Sequence, residues 1–152
     1  MENQQQAKQN ISIRRLTVDD QPKLLALLQD RQLAASAGLQ LSADSQFQRW
    51  VIQNWLIQAE LYGIWHGSQL VGVVTIFPYQ NGGEIGYFIQ PSFRHQHIMT
   101  MAVGKVLQVT QFRVIRAEVA VNNVASQHVL ITNGFKLKAN LPQLFQYYWL
   151  GN

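Results

Sequence analysis

Residues 84–121 constrain this chain more than any other stretch. "EIGYFIQ" (84–90) reads as a strand, "PSFRHQH" (91–97) as a loop, "IMTMAVGKVLQVTQF" (98–112) as a helix and "VIRAEVAV" (114–121) as a second strand. Parallel strands of one sheet need a crossover connection, usually a helix, so parallel pairing of these two strands around the helix is expected.

The flanking segments add antiparallel elements. "ISIRRL" (11–16) suits a short first strand, and Thr17 caps a helix that carries Leu24, Leu25, Leu27 and Leu28 at helical spacing. Residues 36–45 read as a polar loop. The next helix sets Phe47, Trp50, Val51 and Trp55 along one face. Two β-rich runs around "HGSQ" (66–69) predict a hairpin, with "NGG" (81–83) as the following turn. "NNVASQHVLITNGF" (122–135) reads as a helix that Gly134 ends, and "FKLKANL" (135–141) and "LFQYYWL" (144–150) close the chain as strands. The expected fold class is α+β (mixed α/β). Its central sheet is mixed and mostly antiparallel, and about four helices flank it.

The chain has 152 residues, 47% of them hydrophobic, which suits one domain with a real core. Residues 1–10 are polar and predict a flexible N-terminus, followed by a single domain over 11–152. No apolar run reaches membrane-spanning length, and the N-terminus lacks an apolar signal core, so a cytoplasmic protein is expected. Twelve Lys and Arg against eight Asp and Glu give a net charge of +4, with no basic run of the kind nucleic-acid arms carry. Without cysteine, disulfides, thiolate metal sites and cysteine nucleophiles are excluded.

The loop before the third helix raises a chemical question. A helix N-terminus offers unpaired N–H groups and a positive dipole end, which suits a phosphate. Such loops usually carry glycines, whereas this one has His95 and His97. Three readings stand: phosphate binding through backbone N–H groups, metal binding by "HQH", or solvent-facing histidines. Histidines two apart point the same way only in extended backbone, and a zinc site needs a third and usually a fourth ligand. His66 and His128 have no motif relation to the pair, so no metal is expected.

Three stretches, in order, make the chain resemble the GNAT superfamily of acetyl-CoA-dependent N-acetyltransferases over essentially the whole domain. They are "SIRRLTVDD" (12–20), "EIGYFIQPSFRHQHIMT" (84–100) and "NNVASQHVLITNGF" (122–135). The resemblance is strongest to the branch that acetylates ribosomal-protein N-termini. It implies that the two parallel strands splay apart and that pantetheine slots between them. It implies a thioester carbonyl against the strand holding Phe88 and Ile89. The pyrophosphate would lie on residues 94–100, that is Arg94, His95, Gln96, His97, Ile98, Met99 and Thr100. Arg94, Ile98 and Thr100 keep the family pattern. His97 replaces an expected Gly, Met99 an expected Gly or Ala, and His95 a common Gly. If residue 97 is left-handed, a non-glycine there costs on the order of 1–2 kcal/mol.

The resemblance also assigns chemistry. Asn123 matches the residue that touches the pantetheine arm. Ser126 matches a serine beside the cofactor sulfur, a candidate proton donor, or it is merely a residue near a helix start. Leu130 stands where many members carry a general-acid tyrosine. Glu84 is a candidate base, or it only closes the "NGG" hairpin; Glu118 is a weaker candidate. Tyr147 and Tyr148 alternate faces, so one should reach the acceptor cleft, and Tyr147 is carried as the catalytic candidate. Trp50 and Trp55 are read as core or cleft wall. The implied function is acetyl transfer from acetyl-CoA to a primary amine, either a protein N-terminus or a small molecule. The other reading is a catalytically weak or inactive CoA-binding or interaction module. A homodimer is a further expectation.

Overall fold

The structure is a computed structural model that describes residues 10–41 and 44–151. Residues 1–9 of the expected flexible N-terminus lie outside it. In chain order the elements are β1 (Ile11–Arg15), α1 (Gln21–Leu27), α2 (Arg31–Ser36), α3 (Ser45–Gln58), β2 (Glu60–His66), β3 (Gln69–Tyr79) and β4 (Gly82–Ile89). Then come α4 (Ile98–Val109), β5 (Val114–Ala120), α5 (Val124–Thr132), β6 (Lys136–Asn140) and β7 (Leu144–Leu150). Short 3-10 turns lie at Val18–Asp20 and Pro91–Phe93. Among the described residues, no helix is long and apolar enough to cross a membrane.

One seven-stranded sheet runs in the order β1-β2-β3-β4-β5-β7-β6. Every neighbouring pair is antiparallel except β4 and β5, which are parallel, as expected. The β4–β5 register holds only Gly83↔Ile115 and Glu84↔Arg116. Beyond those pairs the strands part, so the expected splay is present.

Two cores lie on opposite faces of the sheet. Ile85, Ile89, Ile115, Ala117 and Val119 pack beneath α4 and α5 with Ile98, Val103, Val106 and Leu130. Phe88, Val73 and Leu61 pack beneath α1, α2 and α3 with Leu24, Leu28 and Ile52. β2 and β3 are covered on both faces and carry near-continuous apolar runs, with buried stretches 60–65 and 70–76. β5 alternates buried and exposed, because α1–α3 reach only part of their face.

Four sequence expectations change. The leading helical region divides into α1 and α2, giving five α-helices among the described residues rather than about four. The loop after α2 is not simply polar, because Ala37 and Leu39 are buried in the second core. It crosses β4 closely: a Cβ on Gly86 would stand 2.9 Å from the Cα and carbonyl oxygen of Ala37. Finally, α3 turns Ile52 inward and leaves Phe47 and Trp50 stacked on its exposed side, 5.5 Å between ring centroids. Trp55 packs partly buried, edge-on to Phe77. The second hairpin also turns one residue earlier than "NGG", at Gln80–Asn81, since Tyr79 already pairs with Gly82.

Candidate functional site

The splay builds the site. Side chains alternate along β4, so Ile85, Tyr87 and Ile89 face α4 and α5 while Phe88 faces the opposite core. Tyr87 reaches across the opening, and its hydroxyl donates to the Ser126 carbonyl at 3.2 Å. Burial pushes its phenol up to about 12, and nearby Tyr147 adds to that rise. Sequence reading did not single out Tyr87. The available signal was the parity of "GYF", which sets Tyr87 and Phe88 on opposite faces.

On the β5 side of the opening, α5 begins at once. The Asn123 side-chain oxygen accepts from the Ser126 N–H at 3.1 Å, capping the helix. Ser126 is half-buried at this start, and Leu130 is fully buried one turn later. Asn123 and Ser126 therefore sit together beside the parting strands, with Tyr87 as a third member.

On the β4 side, the 3-10 turn at Pro91–Phe93 leads to Arg94, exposed, whose Nε donates to the Ile89 carbonyl at 3.4 Å. His95 and His97 both adopt left-handed backbone, with φ of 62° and 60°. His97 is the N-cap of α4 and makes no side-chain cap bond. The first amide of this helix with a backbone acceptor is that of Met101, bonded to the His97 carbonyl. The N–H groups of residues 95–100 find no acceptor among the described residues. Gln96 is half-buried, and its side-chain oxygen likewise lacks a partner. Free amides around left-handed turns at a helix start form an anion-binding arrangement. Phe88 and Ile89, both buried, complete the strand that leads into it.

The far face of the sheet holds the charged candidates. Glu84 Oε2 accepts from Arg116 Nε at 2.8 Å, at the last paired position before the strands part. Arg116 also pairs with Glu118, which accepts from Gln146 at 3.3 Å. The guanidinium lies over the Tyr79 ring at 4.1 Å, in a recess lined by Gly82, Val114 and Tyr148. Glu84 is thus tied into an ion-pair cluster. Tyr147 and Tyr148 do face opposite sides: Tyr147 is 3% exposed in the core under α4 and α5, and Tyr148 borders the recess.

The comparisons with known proteins agree with this geometry. The acetyltransferase (GNAT) domain model matches residues 10–136. The chain belongs to the GNAT acetyltransferase family. Among solved structures it resembles the spermidine N-acetyltransferase of Vibrio cholerae, determined with CoA and spermine, at 16% identity and a TM-score of 0.73 over 93% of this chain and 96% of that one. The ribosomal-protein-S5-alanine acetyltransferase of Vibrio fischeri aligns at 14% identity and a TM-score of 0.74, covering 94% of each chain. A putative acetyltransferase from Salmonella typhimurium with acetyl-CoA aligns at 12% identity and 0.75, over 94% of this chain and 95% of that one. No sequence among curated proteins matches.

Proposed function

We propose that this chain is an N-acetyltransferase that moves an acetyl group from acetyl-CoA to a primary amine, a protein N-terminus or a small molecule. The observation that carries the reading is the run of unpartnered amides at 95–100 beside the mouth of the β4–β5 splay. A diphosphate supplies what those donors lack. Arg94, His95, Gln96, His97, Ile98, Met99 and Thr100 would hold it, with Arg94 adding charge and Met99 packed partly against the core. The strand edge at Phe88 and Ile89, together with Asn123, would receive the pantetheine arm between the diverging strands. Acetyl-CoA supplies the activated thioester; this chain orients it and manages protons. Ser126 stands at the splay as a candidate donor. Glu84, fixed by Arg116, would attract and orient a cationic amine as well as serve as base, and Tyr147 would act through packing behind the site.

A second reading, a CoA-binding module with weak or no turnover, draws on one observation: the ion pair of Glu84 with Arg116. Thiol release from acetyl-CoA separates the two. Peptides with free N-termini, polyamines and simple alkylamines form the panel. Acceptor-dependent thiol release is expected with at least one class. CoA binding with no thiol release across the panel would favour the module.

A further inference from the structure

Besides Ser126, the departing sulfur has one further candidate source for the proton it needs. Leu130 offers none, and Tyr147 is 3% exposed within the core. Tyr87, by contrast, is half-buried, sits on the splaying strand and carries its hydroxyl across the gap to the main chain of Ser126. We propose that Tyr87 is a catalytic residue, the group that carries a proton from the acceptor nitrogen to the departing sulfur, an assignment that rests on the acetyltransferase reading above.

Once the acceptor amine is neutral, its ammonium proton having passed to Glu84 or solvent, the step balances without a further base. A neutral amine nitrogen attacks the thioester carbonyl, the N–C bond forms and the C–S bond breaks. Nitrogen then holds one surplus proton and sulfur lacks one. The Tyr87 hydroxyl gives its proton to sulfur and takes the surplus proton of nitrogen, ending as it began. In the structure that hydroxyl donates to the Ser126 carbonyl at 3.2 Å. A single weak bond parks it, and rotation toward the slot frees it. With the phenol pushed up to about 12 by burial, the group keeps its proton through the neutral range.

Tyr87→Phe tests the assignment, since it keeps the ring and its packing. Three quantities are read: turnover, CoA affinity by calorimetry, and the pH at which the thiol of bound CoA ionises, followed by thiolate ultraviolet absorbance. Turnover should fall by roughly 10²-fold or more, the usual size of a lost proton-transfer group, with KM for acetyl-CoA and Kd for CoA within about threefold. The bound thiol should ionise at higher pH in the variant, because a donor to the thiolate favours the charged form and the variant lacks it. Turnover within about threefold of wild type, or an identical thiol titration, would overturn the assignment. If wild-type protein binds CoA but acetylates no amine, the acetyltransferase reading fails by itself. The thiol titration then decides alone whether Tyr87 touches sulfur.

Discussion

The two strand-to-helix passages that flank the splay solve the same problem in opposite ways. From β5 to α5 the chain takes three residues, Val121–Asn123, and Asn123 caps the helix with its own side chain. From β4 to α4 it takes eight residues, Gln90–His97, and the cap makes no side-chain bond. A buried or half-buried N–H without a partner is costly, so folded chains satisfy nearly all of them. The first passage satisfies the Ser126 N–H with the Asn123 side chain and the Gln127 N–H with the Asn123 carbonyl, leaving only the exposed first amides of α5 to solvent. The second leaves its amides open and holds His95 and His97 in backbone that L-residues rarely adopt. Strain of this kind persists where surrounding structure imposes it, and it gathers at ligand clamps. One passage closes its helix start with its own side chain, and the other holds the open amides to which the proposed diphosphate site is assigned.

That contrast can be broken most strongly at His97. Aspartate tolerates left-handed backbone, and its carboxylate would lie among the open amides of α4. His97→Asp should raise the melting temperature slightly, by up to about 1 kcal/mol of added stability, as anions at helix starts do. It should also weaken CoA binding by about tenfold or more, since the new charge occupies and repels the diphosphate site. Calorimetry and thermal melts on the same sample read both. Weakened binding with an equal loss of stability would mean the variant only damaged the loop.

Next in size is a pair of opposite glycine exchanges. Gly134 ends α5 at φ of 87°, so Gly134→Ala should cost on the order of 1–2 kcal/mol. His97→Gly should move the other way, by about 1 kcal/mol, because relief of left-handed strain exceeds the extra chain entropy of glycine. The strain is present without ligand, so this variant should gain folding stability while CoA affinity stays within about threefold. A large affinity gain with unchanged stability would show that residue 97 becomes left-handed only on binding.

The smallest effect belongs to the self-capped passage. Asn123→Ala removes the acceptor for the Ser126 N–H and should lower stability by about 1 kcal/mol, measured by denaturant titration. No measurable loss would show that another group satisfies that amide, and the contrast would weaken.

Much of this was legible in the sequence. The strand-helix-strand order at 84–121 pointed to the parallel pair. Asn123 and Ser126 lie at the start of α5, and residues 94–97 lead into α4, beside the parting strands. What escaped depended on distant packing. The left-handed angles at His95 and His97 fall on non-glycine residues, so residue type alone does not report them. The parity of Tyr147 and Tyr148 was readable, but which face α1–α3 leave open was not; Tyr147 is therefore buried and Tyr148 borders the recess. Trp50 shares a stripe with Phe47, yet α3 is oriented by Ile52, so both aromatics face outward. Arg116 was passed over because its two carboxylate partners come from different strands.

The central claim is that the open amides of the β4-to-α4 passage, and not the capped start of α5, receive the diphosphate. Backbone amide NMR during titration with CoA, and separately with inorganic pyrophosphate, reads those groups one by one. The account predicts that both ligands shift the amides of residues 95–100 most. CoA alone should additionally move residues along β4 and at the α5 start. Unchanged amides at 95–100 with CoA at millimolar concentration would contradict it.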